Sequence, residues 1–395
     1  MKKNAIKFLA LCLVAVLCVA CFAGCGDNQD AQDKGNTLVI GGIGPVTGAA
    51  ADYGTGVKNG IQLAIDEINA AGGVNGIKLE LNFQDDEHDA EKAVNAYNAL
   101  KDKDMKLLIG TVTSLPCIAV VEKTHADNMF QITPSGSAID CVKYDNAFRV
   151  CFNDPNQGTA SAQYIAEKKL ASKIAVIYDS SDVYSSGIYE KFNAEAAVQG
   201  LSIVTAQAFT ADSKTDFSVQ LQKIQASGAE LVFLPIYYQE AALILQQAST
   251  MGLNVKYFGC DGLDGLAKQL GTKVELSNDV MLLTPFAADS KDQKSAAFVK
   301  AYKEKNNDLI PNQFAADGYD AVYAIKLALE KADIKDVTNM SASDLCDALK
   351  GVMTQIKLEG VTGTITWDKD GEPSKDPKAM KISVNGTEWS YTAMD

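Results

Sequence analysis

The sequence predicts an α/β protein with two parallel β-sheets, each covered by helices on both faces. Short β-branched runs alternate with amphipathic stretches along most of the chain, which is the pattern of strand–helix–strand units. The alternation resumes after Arg149, and 395 residues suit two such sheets better than one. Hydrophobic residues make up 47% and charged residues 22% of the chain, as in ordinary globular proteins.

The first 36 residues differ in composition from the rest of the chain. Three lysines are followed by an uncharged apolar run at 8–22, then by Ala23 and Gly24 immediately before Cys25. This order is typical of a secretion signal that ends at a lipid-attachment cysteine. The apolar run is also shorter than the about 20 residues that a transmembrane helix needs. We predict a signal peptide at 1–24, lipidation at Cys25 and a polar tether at 25–36.

These predictions place the protein outside the cytoplasm, either lipid-anchored to the outer face of the cell membrane or periplasmic. Phe22 stands where a leucine is usual in lipid-attachment signals, so cleavage without lipidation stays open.

The strands and helices can be assigned in chain order. We predict strands at 38–40, 79–83, 107–110, 174–178, 203–205, 231–234 and 256–259, with a short strand that ends at Thr133. Helices are predicted over 90–100, near Tyr164, Tyr189, Leu221 and Leu243, and on the apolar face Val57, Ile61, Ala64, Ile65 and Ile68. A helix-rich stretch at 295–350 carries the stripe Ala315, Tyr319, Val322, Ile325 and Leu329, and strands with a turn at 368–371 follow at 361–384.

Residues directly after the predicted strands are small and polar, or tyrosine. The carboxyl ends of strands border the ligand crevice in open parallel sheets. The candidates are Ser114, Ser135 and Ser137 in the first half, and Tyr184, Tyr237, Tyr238 and Asp261 in the second. Facing each other, hydroxyls with N–H groups could hold an anion and the carboxylate a cation, which together describes a zwitterion. The same residues could instead only cap helices and pack.

The sequence contains no recognisable catalytic or cofactor motif. The glycines at 42–48 follow a strand but are misspaced for dinucleotide binding. Only two histidines occur, His88 and His125; neither has a serine or cysteine partner by motif, and the cysteines lack the spacing of zinc sites. We therefore expect no enzyme activity, no metal and no cofactor. A secreted amidase or similar hydrolase is the enzymatic alternative.

Charge and cysteine content narrow the partners. The net charge of −14 at pH 7 repels phosphate backbones, so we expect no nucleic-acid partner. The acids at 85–87 and Asp89 could bind a cation, but such acids more often cap a helix in a solvated loop. Arg149, the only arginine, is the sole candidate for a bidentate clamp on a ligand carboxylate. A disulfide between Cys141 and Cys151 and a pair of buried thiols both stay open.

Several segments resemble the extracellular leucine, isoleucine and valine binding proteins that serve ABC importers, a branch of the type I periplasmic binding proteins. They are IGGIGPVTGAAADYGTGVKNGIQLAIDEINAAGGVNGIKLEL, QDDEHDAEKAVNAYNAL, ITPSGSA, RVCFNDPNQGTASAQYI, DGYDAVYAIKLAL and GTITWDKDG. The resemblance implies two doubly wound parallel-sheet lobes that close like a clamshell on three hinge crossings, near Asp154, Pro285 and Trp367. Lobe 1 would comprise 37–153 and 286–366, and lobe 2 would comprise 154–285 and 367–395.

The resemblance also implies roles for single residues. Ser114 matches the serine that binds the ligand carboxylate, Ser137 matches the hydroxyl of the T-P turn, and Ser135 stands where a backbone carbonyl meets the ligand ammonium. Tyr53, Tyr184 and Tyr237 match aromatic positions around the ligand, Tyr184 across a one-residue insertion. Asp261 stands where the family commonly has glutamate as the partner of the ammonium.

The function that the resemblance implies is capture of a small amino acid, branched-chain or otherwise apolar, by lobe closure and delivery to an ABC permease. We expect the protein to act as a monomer. A ligand-sensing receptor with the same fold is one alternative, and binding of an aromatic amino acid or a small amide is another.

Overall fold

The computed structural model describes residues 35–394. The predicted signal peptide, Cys25 and most of the predicted tether lie outside this range. Within it, no helix combines the length and apolar character needed to cross a membrane.

Fourteen strands are present in the described part of the chain. They are β1 (Thr37–Gly44), β2 (Lys78–Asp85), β3 (Leu107–Ile109), β4 (Gln131–Thr133), β5 (Ala147–Arg149), β6 (Lys173–Asp179), β7 (Ser202–Phe209), β8 (Leu231–Leu234), β9 (Lys256–Gly259), β10 (Met281–Thr284), β11 (Lys357–Glu359), β12 (Thr364–Thr366), β13 (Lys378–Asn385) and β14 (Glu388–Ala393).

Eleven α-helices connect and cover these strands in the same range. They are α1 (Ala51–Ala70), α2 (Ala90–Lys101), α3 (Ser114–Ala126), α4 (Asp154–Glu167), α5 (Val183–Val198), α6 (Ser218–Ser227), α7 (Tyr238–Thr250), α8 (Leu266–Leu270), α9 (Gln293–Lys305), α10 (Gln313–Lys331) and α11 (Ala342–Met353).

The strands form two large sheets, which confirms the predicted doubly wound α/β fold. The first sheet has the order β2-β1-β3-β4-β5 and is parallel throughout. The second has the order β14-β13-β10-β9-β8-β6-β7, with all pairs parallel except β10–β13 and β13–β14, which are antiparallel. The strands β11 and β12 pair as a separate hairpin. We call the parts built round these sheets the first and second lobes.

The first lobe is held together by close packing of α1 against α10. The apolar faces predicted for both helices are buried, with Tyr319 half-buried. Glycines permit the backbones to approach: a Cβ on Gly60 would meet the carbonyl oxygen of Ala315, and one on Gly318 would lie 2.7 Å from the carbonyl oxygen of Val57. Glycine is therefore required at this helix crossing because any side chain would force the two backbones apart.

Three short strands escape the sequence pattern. The strands β5 and β10 were not predicted, since runs of three or four residues carry too little periodicity to be distinguished from loop. The final strand β14 also lies beyond the predicted tail. All three depend on pairing with a neighbouring strand rather than on their own pattern.

The third crossing between the sheets lies later than the position predicted at Trp367. The indole of Trp367 donates to the carbonyl oxygen of Arg149 at 2.7 Å, and the Arg149 N–H donates to the carbonyl oxygen of Gly371 at 3.1 Å. This turn thereby satisfies the outer edge of β5 and stays with the first lobe. The buried Lys375 also donates to the carbonyl oxygen of Val150, so the chain reaches the second sheet only at Lys378.

The Cys141–Cys151 disulfide is absent, so this alternative of the sequence analysis is wrong for the structure. Both residues are buried free thiols. The Cys141 sulfur lies 3.7 Å from the carbonyl oxygen of Ser114 and packs in a cluster with Cys117 and Ala138. The chain between the two cysteines forms a 3₁₀ turn and β5, which directs their side chains into different surroundings.

Candidate functional site

Serines at the carboxyl ends of β3 and β4 form a compact group of hydroxyls and amides, which we call the hydroxyl wall. Ser114 is the first residue of α3, and its Oγ accepts from the N–H groups of Ser137 and Ala138 at 3.2 and 3.1 Å. The Ser114 and Ser137 hydroxyl oxygens lie 3.5 Å apart. The Ser135 hydroxyl instead donates to the carbonyl oxygen of Val112 at 2.6 Å. All three serines are buried.

Arg149 braces the turn that carries two of these serines. Its guanidinium donates to the carbonyl oxygens of Gly136, Ala138 and Ile139 at 3.0–3.2 Å and pairs with Glu372 at 3.1 Å. The side chain is fully buried by these contacts. Arg149 therefore positions the hydroxyl wall and is not placed to clamp a ligand carboxylate. The polar groups that remain at this turn are hydroxyls and N–H groups.

The second lobe contributes a carboxylate and a tyrosine that are hydrogen-bonded to each other. The Tyr184 hydroxyl donates to Oδ1 of Asp261 at 2.7 Å and accepts from the N–H of Gly262 at 2.9 Å. Both side chains are buried. The main chain of Asp261 is fixed on two sides, because its N–H donates to Gln157 and its carbonyl oxygen accepts from Gln313.

Aromatic rings connect the two lobes beside this carboxylate. The Tyr237 ring stacks on Tyr184 at a centroid distance of 4.9 Å and meets the ring of Tyr53 edge-on at 5.7 Å. Tyr53 lies on α1 of the first lobe, and its hydroxyl donates to the carbonyl oxygen of Gly262 in the second lobe at 2.6 Å. The ring of Phe314, on α10, packs on Tyr53 at 4.2 Å.

A second acid, Asp154, occupies the interlobe region and was predicted only as a hinge position. It begins α4 at the first crossing, and its N–H donates to the carbonyl oxygen of Ser137 at 3.0 Å. It is 2% exposed, and neither carboxylate oxygen has a partner with hydrogen-bond geometry among residues 35–394, although the Ser137 hydroxyl lies near enough to affect its pKa. The amide nitrogen of Gln157, one turn later, is likewise buried without a partner in that range.

The position of Asp154 in the sequence could have revealed it. It follows β5 and begins a helix, which is the arrangement used to select the other candidates, but β5 itself was missed. We call Asp154, Gln157, Tyr184, Tyr237 and Asp261 the acidic wall.

Burial shifts the acids of this wall toward their neutral forms. Burial raises the pKa of the Asp261 carboxyl to about 7, although the Tyr184 hydroxyl and the Gln157 side chain favour the charged form. Burial also raises the pKa of Asp154 well above its usual range; the nearby Ser137 hydroxyl opposes this shift and Asp261 adds to it. A positive charge between the two acids would offset both shifts.

The structure thus places the seven residues to which the resemblance gives roles in one interlobe region, and Tyr238, the eighth candidate, packs edge-on against Tyr53 at 4.9 Å. Ser114 and Ser137 are in mutual contact, Tyr53, Tyr184, Tyr237 and Asp261 form a second connected group, and Asp154 lies between the groups. Ser135 belongs to the first group by sequence, but its hydroxyl is engaged with the backbone.

The acidic loop at 85–89 caps a helix, as the more common interpretation of its sequence holds. Asp89 accepts from the N–H of Lys92 at the start of α2. Asp85 accepts from the N–H of Val46 and from the Thr47 hydroxyl.

Two of the cavities formed by residues 35–394 lie near the interlobe region. One of ≈ 490 Å³ lies at the second crossing, beside Pro285 and Lys378, and contains none of the predicted site residues. No residue that lines it has a buried side-chain nitrogen or oxygen without a hydrogen-bond partner. The other, of ≈ 200 Å³, is lined by residues of both lobes, including Leu115 and Tyr237. The second cavity is therefore the one that adjoins the predicted site.

Comparison with known proteins agrees with this geometry. A family model described as periplasmic binding protein matches residues 37–387. The leucine-, isoleucine-, valine-, threonine- and alanine-binding protein of Pseudomonas aeruginosa is 30% identical over 91% of this chain and 92% of its own length. A Leu/Ile/Val-binding protein homolog of Brucella melitensis is 30% identical over 85% of this chain and 89% of its own length.

A solved structure extends the comparison to three dimensions. The branched-chain amino acid transporter substrate binding protein of Streptococcus pneumoniae, solved in complex with isoleucine, superposes with a TM-score of 0.79 at 28% identity. The superposition covers 91% of this chain and all of that one. By its sequence, its two-sheet fold and the match over nearly the whole described chain, this protein is a member of the periplasmic binding protein family.

Proposed function

We propose that the protein captures a small α-amino acid between its lobes and delivers it to the permease of an ABC importer. The ligand carboxylate would meet the hydroxyl wall, and the ligand ammonium would meet the acidic wall. Binding proteins of this fold act by closing two lobes around the ligand. The relatives that bind branched-chain amino acids support an apolar α-amino acid as the first candidate.

The observation that carries the proposal is the buried, unpartnered carboxylate of Asp154. A buried acid without hydrogen bonds is costly, and proteins keep such groups where a partner completes them. An ammonium group between Asp154 and Asp261 would supply donors to both acids. The amide nitrogen of Gln157 lacks an acceptor in the described chain and would face the same region.

The hydrogen bonds that the two walls offer are sufficient for a micromolar dissociation constant. A charge-assisted hydrogen bond contributes about 1.5–3 kcal/mol, and micromolar binding needs about 8 kcal/mol. A handful of bonds from the two walls reaches that value after desolvation and ordering costs are subtracted. The site thus needs no metal or cofactor to hold its ligand.

We infer that the protein performs no catalysis on the ligand. Ser114 Oγ accepts two backbone N–H groups instead of donating to a base. His88, the nearest histidine to the site, contacts the Thr113 hydroxyl at 2.8 Å. Burial and then the charge of Lys214 lower the pKa of His88 to about 4. A neutral, weakly basic imidazole engaged with threonine is a poor general base at neutral pH.

We propose that the mature protein is a monomer held at the outer face of the membrane by a lipid on Cys25. The order of the first 25 residues supports this anchor. Labelling cells with an alkyne fatty acid should tag the wild-type protein and leave Cys25→Ser untagged. An untagged wild-type protein would refute the anchor without bearing on the ligand site.

The ligand proposal is tested by a thermal-shift screen of purified residues 26–395 against the twenty amino acids and small amides. Binding to the native state alone raises the melting temperature, so true ligands identify themselves. Titration calorimetry on each hit then gives the affinity. We expect at least one α-amino acid to bind in the micromolar range or tighter. Failure of every amino acid, with the protein folded, would refute the proposed function.

A further inference from the structure

The ≈ 200 Å³ cavity beside Tyr237, which we call the annex, has an acidic lining that the sequence did not suggest. Asp179, Asp182 and Glu240 contribute carboxylates to it, and Lys214 contributes the one ammonium among its lining residues. Lys214 pairs with Glu240 at 3.7 Å. One positive charge thus faces three negative ones, and it is already committed to Glu240.

Asp182 is the acid in the annex with one carboxylate oxygen that lacks a partner. It is 9% exposed, and its Oδ1 is buried without a hydrogen bond from any residue in 35–394. Asp179, by contrast, accepts from both the N–H and the hydroxyl of Ser181 at 2.8 and 2.6 Å. Burial, with a further contribution from the charge of Asp179, raises the pKa of Asp182 to about 6. The N–H groups of Tyr184 and Ser185 and the Tyr237 hydroxyl oppose this shift, but Asp182 has no ion-pair partner among residues 35–394.

The annex continues the predicted ligand site. Tyr237 lines the annex and stacks on Tyr184, whose hydroxyl contacts Asp261. Leu115, next to Ser114 in the hydroxyl wall, lines the annex from the first lobe. A ligand held by its carboxylate and ammonium at the two walls would thus have the annex within reach of its side chain. The volume is several times the about 30 Å³ share of one water molecule.

The rest of the annex lining, between the predicted ligand site and Asp182, is largely apolar. Ala49, Ala50, Leu115 and Ile236 line the annex together with Phe209. A fitting guest has an apolar stem and a positively charged tip, as in an α-amino acid whose side chain ends in an amine. His88 also lines the annex but is neutral at pH 7, so it does not supply the missing positive charge.

We propose that the annex receives a cationic ligand side chain, so that the protein binds a diamino acid of the lysine or ornithine type with Asp182 as partner of the terminal ammonium. This proposal rests on the proposed function, capture of an α-amino acid, and replaces its first ligand candidate, an apolar amino acid, with a cationic one.

The test compares two ligands that differ only in the terminal amine. Lysine and norleucine share the same stem, so their affinity ratio by titration calorimetry at pH 7.5 isolates the ammonium. We expect lysine to bind at least tenfold tighter than norleucine, and Asp182→Asn to reduce that ratio to threefold or less. Asparagine keeps the size of the side chain, and its oxygen can still accept from the nearby N–H groups of Tyr184 and Ser185, so folding should persist.

A matched control and two opposite outcomes complete the test. Glu190→Gln changes the same charge on an exposed part of α5 and should leave the ratio unchanged. If norleucine or leucine binds as tightly as lysine in the wild type, or if Asp182→Asn leaves the ratio intact, the annex proposal is overturned while amino-acid capture stands. If no α-amino acid binds, both proposals fail together.

Discussion

The hydroxyl wall and the acidic wall differ in how completely their polar groups are satisfied. In the hydroxyl wall, Ser114 accepts two N–H groups and Arg149 holds the turn through three carbonyl oxygens. In the acidic wall, both oxygens of Asp154 and the amide nitrogen of Gln157 are buried without partners in the described chain. The serines of the first wall are hydrogen-bonded before a ligand arrives, although Nε of their brace Arg149 is buried without a partner in the described chain. The second wall has two side chains with unpaired polar atoms, one of them an acid.

This difference predicts that the two walls contribute differently to ligand affinity and to the stability of the ligand-free protein. A preorganised wall costs little to use, because its groups need no reordering when a carboxylate docks. Buried acids without partners destabilise the ligand-free protein. A bound cation would remove this destabilisation and so strengthen its own binding. We therefore expect changes at the acids of the acidic wall to alter affinity and stability in opposite directions, and a change at Ser137 of the hydroxyl wall to alter affinity alone.

The largest expected effect is that of Asp261→Asn on ligand affinity. Asparagine can still accept from the Tyr184 hydroxyl, but it removes the negative charge facing the ammonium. Loss of one member of a buried charge pair costs about 2–5 kcal/mol, so we expect the dissociation constant to rise by about 100-fold or more. Titration calorimetry with the best ligand of the screen measures this change. The control Asp140→Asn, an exposed acid near the hydroxyl wall, should bind like wild type.

Asp154→Asn tests the opposite signs predicted for affinity and stability. We expect binding to weaken by at least tenfold, since the ammonium loses one of two acids. We also expect the ligand-free variant to unfold at higher urea concentration than wild type at pH 8, by about 1 kcal/mol or more, because the wild type must either bury an unpaired charge at Asp154 or take up a proton there. A variant that is both weaker in binding and less stable would show that Asp154 serves the fold and not the ligand.

The pH dependence of affinity follows from the raised pKa of Asp261. Its folded pKa of about 7 lies above the value of the unfolded chain. Its contribution to the stability of the ligand-free protein is therefore fully present below about pH 4 and is lost as the pH rises through 7. Ligand binding has the opposite trend, because the ammonium needs the ionised acid. We expect affinity to fall as the pH drops from 8 to 6, approaching about tenfold per pH unit below 7.

This pH effect has its own control. In Asp261→Asn the slope between pH 8 and 6 should flatten, because the titrating group is absent. An unchanged slope would assign the proton to another group, of which Asp154 is the nearest candidate.

The smallest expected effect separates two serines of the hydroxyl wall. Ser137→Ala removes a hydroxyl that faces Ser114 and leaves the backbone N–H groups in place, so affinity should fall by about tenfold, or about 1–1.5 kcal/mol. Stability should change by less than about 0.5 kcal/mol. Ser135→Ala is the matched comparison: its hydroxyl donates to Val112, so that variant should lose about 1 kcal/mol of stability and bind nearly normally. The reverse result would exchange the roles of the two serines.

Much of the fold followed from local patterns. The strands at 231–234 and 256–259 have the predicted bounds, and the helix containing Val57, Ile61, Ala64, Ile65 and Ile68 buries the predicted face. These segments were predictable because burial on a sheet or helix imposes a period on their own residues. The strand β5 was not, because its three residues are strand only through pairing with β4.

Sequence patterns predicted the kinds of residue in the candidate site but did not identify every residue that lines it. Residues after predicted strands were found because parallel strands end at a common edge. Asp154 was missed with β5, and the place of Asp182 in the lining of the annex was missed because that cavity is formed by residues of both lobes. The use of Arg149 as a brace could not be inferred either, since its carbonyl partners lie 10–13 residues earlier in a turn.

The sequence by itself determined the two-sheet architecture, the family and the polar residues at the strand ends, because each is written in local periodicity or motif. Only the tertiary structure decided which polar groups are satisfied and which stay unpaired. Satisfaction depends on distances and burial between segments far apart in the chain, as for Ser137 beside Asp154 or Tyr184 bonded to Asp261. Those distances arise from packing, which no local pattern specifies.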